Sequence, residues 1–154
     1  MISLPFNCKF DLIFSVFDSV NYLTEPSQLN LFFKETASVL NPEGVLTFDV
    51  SLEKNSIANT AELNREGKFR GIRYKQISEY NEVEKIHTNK FLITLDTEEE
   101  ILEIHKQRIY ELEDYFNFIE KNGLYVIRCY EAFTFRDACR NSERVQFVVK
   151  KIKR

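Results

Sequence analysis

Apolar positions along this chain fall into blocks whose period changes with position. Residues 10–16 (FDLIFSV) are almost continuously apolar, interrupted only by Asp11 and Ser15. Such runs mark strands covered on both faces, as in parallel sheets. Residues 17–23 (FDSVNYL) break the run with Asp18, Ser19 and Asn21 and read as a loop. A helix follows. Thr24 suits its N-cap and Pro26 its first turn. Leu29, Phe32, Phe33, Thr36, Ala37 and Leu40 then recur at the i, i+3, i+4 spacing of one buried face. Asn41-Pro42-Glu43-Gly44 stops the helix, and residues 45–50 (VLTFDV) form a second apolar, β-rich run. Strand, loop, helix, turn and strand predict a βαβ unit over residues 1–52, with parallel strands. Ligands of such sheets bind beyond the carboxyl ends of the strands. That rule puts residues 17–22 and 49–51 on one rim.

The pattern then changes. Residues 52–68 are polar, carry Asn55, Asn59 and Asn64, and read as a linker that can hold a short helix. Residues 69–80, 83–95 and 101–112 are β-rich with imperfect alternation, separated by Asn81-Glu82 and Asp96-Thr97-Glu98. They predict a three-stranded antiparallel meander with one wet face, spanning residues 69–112. The run Glu98-Glu99-Glu100 reads as a solvated turn. Residues 111–122 predict a second helix with Leu112, Tyr115, Phe116 and Ile119 on one face and Gly123 just past its end. Residues 124–135 and 144–152 complete the chain as strands joined by a polar hairpin loop, so 113–154 form a helix and the terminal strands.

Composition narrows the function. The 154 residues suggest one domain, large enough for a core without staples. Only four glycines occur, at 44, 67, 71 and 123, or about 2.6 % against a typical ~7 %. They are too scattered for a GxGxxG turn or a P-loop. A net charge of −3 gives no nucleic-acid surface, and no apolar stretch is long enough for a membrane span. The first six residues lack the basic and apolar parts of a signal peptide. Cys8, Cys129 and Cys139 are an odd set without a CxxC, which reads as free thiols in the cytoplasm. His87 and His105 lie far apart with no ligand at metal spacing, and read as surface or roof histidines. The basic end, Lys150, Lys151, Lys153 and Arg154, reads as a solvated terminus.

Three segments carry a resemblance. They are residues 10–23 (FDLIFSVFDSVNYL), residues 40–50 (LNPEGVLTFDV) and residues 141–151 (NSERVQFVVKK). They resemble the fourth strand and its loop, the turn into the fifth strand, and the final strand of class I S-adenosylmethionine-dependent methyltransferases of the small-molecule type. The turn departs from that family's usual Lys-Pro-Gly-Gly at Asn41 and Glu43, while Pro42 and Gly44 remain. The resemblance implies an α/β fold: the later strands of a partial Rossmann-like methyltransferase sheet with a three-stranded antiparallel β insert. The insert is similar to one that roofs the substrate pocket in small-molecule methyltransferases. The family's glycine-rich cofactor turn and its ribose-binding acidic residue would lie before Met1.

The resemblance also implies roles. Phe17 and Asp18 would approach S-adenosylmethionine, and Asn21 and Tyr22 would face the acceptor. Tyr22 and Asp49 are the candidate catalytic residues, Asp49 because a carboxylate at the end of an apolar strand can bind an amine or hydroxyl. Arg73 and Tyr74, with Tyr80, lie on the meander within reach of a pocket and are candidate substrate contacts. Ordinary readings stand beside these: turn chemistry for Asp18, Ser19 and Asn21, a core aromatic for Tyr22, a loop cap for Asp49. Two functions stay open beside a third reading, a β-rich ligand-binding module unrelated to methyltransferases. One is a small-molecule methyltransferase whose cofactor half is supplied elsewhere; the other is a non-catalytic remnant of the fold that acts as a dimeric binding protein. In either, residues 10–16 would be an apolar edge strand, which predicts a homodimer or a complex with a chain supplying the missing strands.

Overall fold

The structure is a computed structural model that describes residues 4–152. The first three residues of the expected pre-strand stretch, and Lys153 and Arg154 of the basic end, lie outside the described residues. Two four-stranded sheets organise the chain. The first contains β1 (Phe10–Ser15), β2 (Leu40–Ser51), β7 (Leu124–Glu131) and β8 (Arg144–Lys151), in the order β1-β2-β8-β7. β1 and β2 are parallel, as the βαβ pattern requires, and β8 runs antiparallel to both β2 and β7. The crossover between β1 and β2 is helix α1 (Pro26–Val39). Its N-cap is Glu25, one residue later than the expected Thr24. The Glu25 N–H donates to the Gln28 side-chain carbonyl at 3.2 Å, and Pro26 takes the first helical position, where its missing N–H costs nothing.

One face of this sheet is the core. Leu46, Phe48 and Val50 of β2 and Val145, Phe147 and Val149 of β8 alternate onto it. They meet Leu29, Phe32, Phe33 and Ala37 of α1 and Tyr115 and Ile119 of helix α3 (Leu112–Lys121). Phe48 stacks on Phe147 with centroids 4.9 Å apart, and the rings of Phe33 and Tyr115 pack around the pair. Gly123 ends α3 in the left-handed region, φ 72°, as its place in the sequence predicts.

The opposite face of the same sheet is open at β1. Leu12 and Phe14 of β1 point there and are 57 % and 67 % exposed. The apolar run of β1 is therefore covered on one face only, not on two. β1 is also the edge of its sheet. A groove of about 380 Å³ follows that edge between Phe6, Phe10, Leu12 and Val39.

The turn at residues 41–44 is absorbed into β2 as a bulge. Pairing jumps from Phe10↔Leu40 to Leu12↔Val45. A Cβ on Gly44 would stand 2.8 Å from the Phe10 carbonyl oxygen and 2.9 Å from Leu40 Cδ1. Gly44→Ala is thus expected to cost about 2 kcal/mol through overpacking, read as a lower denaturant midpoint with an unchanged slope.

The second sheet is a meander of four strands rather than three: β3 (Arg65–Phe69), β4 (Ile72–Asn81), β5 (Ile86–Thr94) and β6 (Glu100–Arg108). The extra strand β3 and helix α2 (Glu53–Leu63) occupy the segment that reads as a linker. β6 stops at Arg108, four residues before the expected end, because Ile109 and Tyr110 turn into the core and α3 starts at Leu112. Among the described residues no helix is long and apolar enough to cross a membrane.

Candidate functional site

The loop after β1 is held in an unusual conformation. Phe17 and Asp18 are consecutive non-glycine residues in the left-handed region, φ 58° and 47°. Each such residue costs on the order of 1 kcal/mol or more and persists only where its surroundings fix it. Here the Asp18 N–H donates to both carboxylate oxygens of Asp49, each at 3.2 Å. Arg144, at the start of β8, spans the two carboxylates. Its Nη1 lies 2.6 Å from Asp49 Oδ2 and its Nη2 lies 2.9 Å from Asp18 Oδ2. Asp49 is buried at the end of β2. Burial pushes the Asp18 carboxyl above the ordinary carboxylate value, Arg144 opposes that shift, and Asp49 adds to it. The rim is a carboxylate pair bridged by one guanidinium.

A 3-10 turn, Ser19–Tyr22, follows. Asn21 within it is fully buried. Its Nδ2 donates to the carbonyls of Ser51 (3.1 Å) and Arg108 (2.9 Å), and its Oδ1 accepts from the Ser51 N–H at 2.9 Å. Asn21 thereby ties the loop to the ends of β2 and β6. It sits in the interior and does not line the cleft described next.

That cleft, of about 660 Å³, lies between α2, the inner face of the meander and the rim. Asp18, Tyr22 and Arg144 reach it from the rim, and His105 and Gln107 from β6. The Tyr22 hydroxyl is 3.3 Å from His105 Nδ1, and His105 Nε2 is 3.4 Å from a Glu103 carboxylate oxygen. Burial and the nearby Asp18 charge push the Tyr22 hydroxyl pKa up. Phe17 is 80 % exposed beside the rim, outside the cleft lining. Arg73 and Tyr74 line a separate hollow with Gly67 and Leu92, and Arg73 pairs with Glu98 at 2.8 Å. The structure thus brings Asp18 and Tyr22 to one cleft, backs Asp18 with Asp49, and sets Arg73 and Tyr74 elsewhere.

His87 is buried in the roof of the cleft. Its Nε2 is 2.7 Å from Ser78 Oγ and its Nδ1 is 2.9 Å from Ser56 Oγ on α2. Burial lowers its pKa below the ordinary imidazole value. A depressed histidine stabilises the fold above the unfolded pKa, and that contribution is lost as pH falls through the folded value. The wild type should therefore lose stability on acidification below about pH 6.5, and His87→Gln should flatten that loss. Thermal melts across neutral and mildly acidic buffers read the difference.

Sequence reading did not single out Arg144, Gln107 or the buried state of His87. Arg144 stands 126 positions from Asp18. A usable signal existed, since a final strand antiparallel to β2 must begin where β2 ends.

No protein-family model matches the chain. It is 29 % identical over 155 residues to a protein of Bacillus subtilis (strain 168) named "Putative methyltransferase YqeM", a match covering 96 % of this chain and 61 % of that protein. It is also 29 % identical to a relative from Geobacillus sp. (strain WCH70) named in the same way, over 93 % of this chain and 60 % of the relative. The chain thus spans about three-fifths of the length of the curated relatives it matches. Among solved structures, an S-adenosylmethionine-dependent methyltransferase from Clostridium acetobutylicum ATCC 824 superposes with a TM-score of 0.81 at 20 % identity, over 99 % of this chain and 62 % of that one. The sugar N-methyltransferase KedS8 from Streptoalloteichus sp. superposes with a TM-score of 0.70 at 15 % identity, over 99 % of this chain and 60 % of that one. In fold the chain thus matches S-adenosylmethionine-dependent methyltransferases over about three-fifths of their length, and in sequence it is similar to two proteins named as putative methyltransferases.

Proposed function

We propose that this chain is the acceptor-side part of a methyltransferase that moves a methyl group from S-adenosylmethionine to a small molecule. The observation that carries the reading is the placement of Asp18 and Tyr22. They leave the carboxyl end of β1 and face a cleft roofed by a separate sheet. The rim residues suit the cofactor. Two carboxylates share one guanidinium, which leaves a net negative rim for a cationic sulfonium, and the exposed Phe17 ring offers an apolar wall. When bound, S-adenosylmethionine supplies an electrophilic methyl carbon. Phe17 and Asp18 would hold it, with Asp49 fixing Asp18. Tyr22, a neutral phenol because its pKa is raised, would orient the acceptor and, where the nucleophile must lose a proton, would accept it only while passing its own to His105 Nδ1, 3.3 Å away. Closing the cleft around both ligands makes the transfer a matter of proximity and alignment.

The uncovered edge and face of β1 support a partner that pairs with it, either a second copy or a chain supplying further strands. Sedimentation at micromolar concentration should show a dimer or a stable complex, and a lone monomer would contradict this part of the reading. Transfer itself is tested with S-adenosyl-[methyl-³H]methionine and a pool of amine and hydroxyl acceptors. The two-fifths of the Bacillus subtilis relative that this chain does not match is added in trans. Label should appear in the small-molecule fraction on mixing and fall in Tyr22→Phe. No label on mixing, with both parts folded, would overturn the proposal.

A further inference from the structure

The inner face of the meander changes character with distance from the rim. Side chains alternate between the two faces of a strand. His87, Phe91, Ile93, Glu103, His105 and Gln107 mark the inner face, because they line the cleft. Strand register then orders this face into rungs. The rim touches β6 at the Arg108 carbonyl and at His105, so the rungs are counted from that end. Gln107, His87 and Tyr80 form the first rung, and His105, Asn89 and Ser78 the second. Glu103, Phe91 and Gln76 form the third. Beyond it the paired side chains are aliphatic or aromatic. Ile101, Ile93 and Tyr74 make the fourth rung, and Phe69 pairs with Ile72 past it.

Helix α2 is tied to the near rungs. The Tyr80 hydroxyl donates to Glu53 at 2.8 Å, Ser56 Oγ meets His87 Nδ1 at 2.9 Å, and Asn64 Nδ2 donates to the Ser78 carbonyl at 3.0 Å. These bonds end at the second rung. Farther out, Ile101 and Ile72 are 38 % and 37 % exposed and Phe69 is 67 % exposed. The strip they form is continuous with the cleft. Leu63, at the end of α2, and Phe91 and Ile93 line the cleft and lead into it. Exposed apolar surface that runs on from a ligand cleft marks binding surface rather than ordinary exterior. The outer face of the meander also carries exposed apolar side chains, Ile77, Leu92, Leu102 and Ile104, but these stand away from the cleft lining.

Resting on the methyltransferase reading of the same cleft, we infer that its acceptor is amphipathic: the nucleophile sits at a polar end beside Tyr22 and His105, and an aliphatic or aryl tail lies along Ile93, Ile101, Ile72 and Phe69. His105 and Ile101 are four positions apart on β6, about 14 Å at the usual strand rise, so the tail must be long to reach the strip. The probes are butylamine, hexylamine and decylamine, kept below micelle-forming concentrations and titrated into protein labelled with ¹³C at the isoleucine methyls. The head group is constant and only the tail grows. Affinity should rise by about threefold for each added methylene that reaches the strip. Decylamine should shift Ile72, Ile93 and Ile101 and leave Ile77 and Ile104, exposed on the outer face, unmoved. Ile101→Ser should weaken decylamine by about tenfold and leave butylamine unchanged. The wild-type series needs no variant to fold. Equal affinity across the series, or outer isoleucines shifted as far as the inner three, would overturn the inference. So would no binding of decylamine at millimolar concentration. Loss of decylamine binding when the unmatched two-fifths of the Bacillus subtilis relative is added would also overturn it, because a protein segment would then hold the strip. Titrating S-adenosylhomocysteine separately keeps the two readings apart. Cofactor binding without the chain-length dependence overturns the acceptor class alone, and the chain-length dependence without cofactor binding overturns the transferase reading alone.

Discussion

Asn21→Ala is expected to lower unfolding stability by about 4 kcal/mol, roughly 10 °C in melting temperature for a domain of this size. The side chain is fully buried and makes three hydrogen bonds to backbone groups of two strands. Alanine removes all three. It also leaves the Ser51 N–H and the Ser51 and Arg108 carbonyls without this partner inside the fold. Each orphaned group costs on the order of 1–3 kcal/mol. The Tyr115 hydroxyl, which accepts from Asn21 Nδ2 at 3.5 Å, loses that contact as well. Asn21→Asp separates shape from chemistry: it keeps the acceptor, loses the donor, and should recover little. A loss below about 1 kcal/mol in Asn21→Ala would show that Asn21 does not clamp the rim to the meander.

Arg144→Ala is expected to cost about 3 kcal/mol, because it leaves two carboxylates facing each other with no cation between them. Asp49 is 5 % exposed, so water screens it little. The effect on the loop should be larger than the effect on the fold. The left-handed Phe17–Asp18 pair depends on the Asp49 carboxylate, which Arg144 holds in place. With Arg144 gone, protonation of one carboxyl is the cheapest relief, and the loop is free to leave its strained conformation. Arg144→Lys keeps one charge but cannot span both partners in plane, so it should restore stability more than loop order. Denaturant unfolding reports the first quantity and amide exchange at Phe17 and Asp18 the second. Unchanged exchange in Arg144→Ala would remove Arg144 from the account of the rim.

Much of the first 52 residues was legible. A dense apolar run, Pro26 at a helix start and Gly44 at a crowded crossing are local signals, and local signals suffice for a βαβ unit. The rim followed from topology, which singled out Asp49 at a strand end, while the roles of Asp18 and Tyr22 came from the resemblance. What the pattern hid has a common cause. Helix α2 buries Ser56 against His87 instead of an apolar stripe, so its sequence carries no hydrophobic period. Strand β3 reads Arg-Glu-Gly-Lys-Phe, with no buried position to alternate. Both line or edge a polar cleft, and elements built to face a polar cleft lack the signature that periodicity detects. Asn21 shows the converse. It was legible as a site residue, yet its amide serves the frame. Arg73 and Tyr74 were placed on the right sheet but at its far end, because alternation sets the face of a strand and not its distance from the rim.

The central claim is that the loop after β1 is one wall of the cofactor site. It is tested most directly by titrating S-adenosylhomocysteine into the ¹⁵N-labelled protein and mapping the amides that move. The account predicts weak, millimolar binding with shifts concentrated at Phe17, Asp18 and Asp49, abolished in Arg144→Ala. Shifts confined to other surfaces, or none at millimolar ligand, would contradict it.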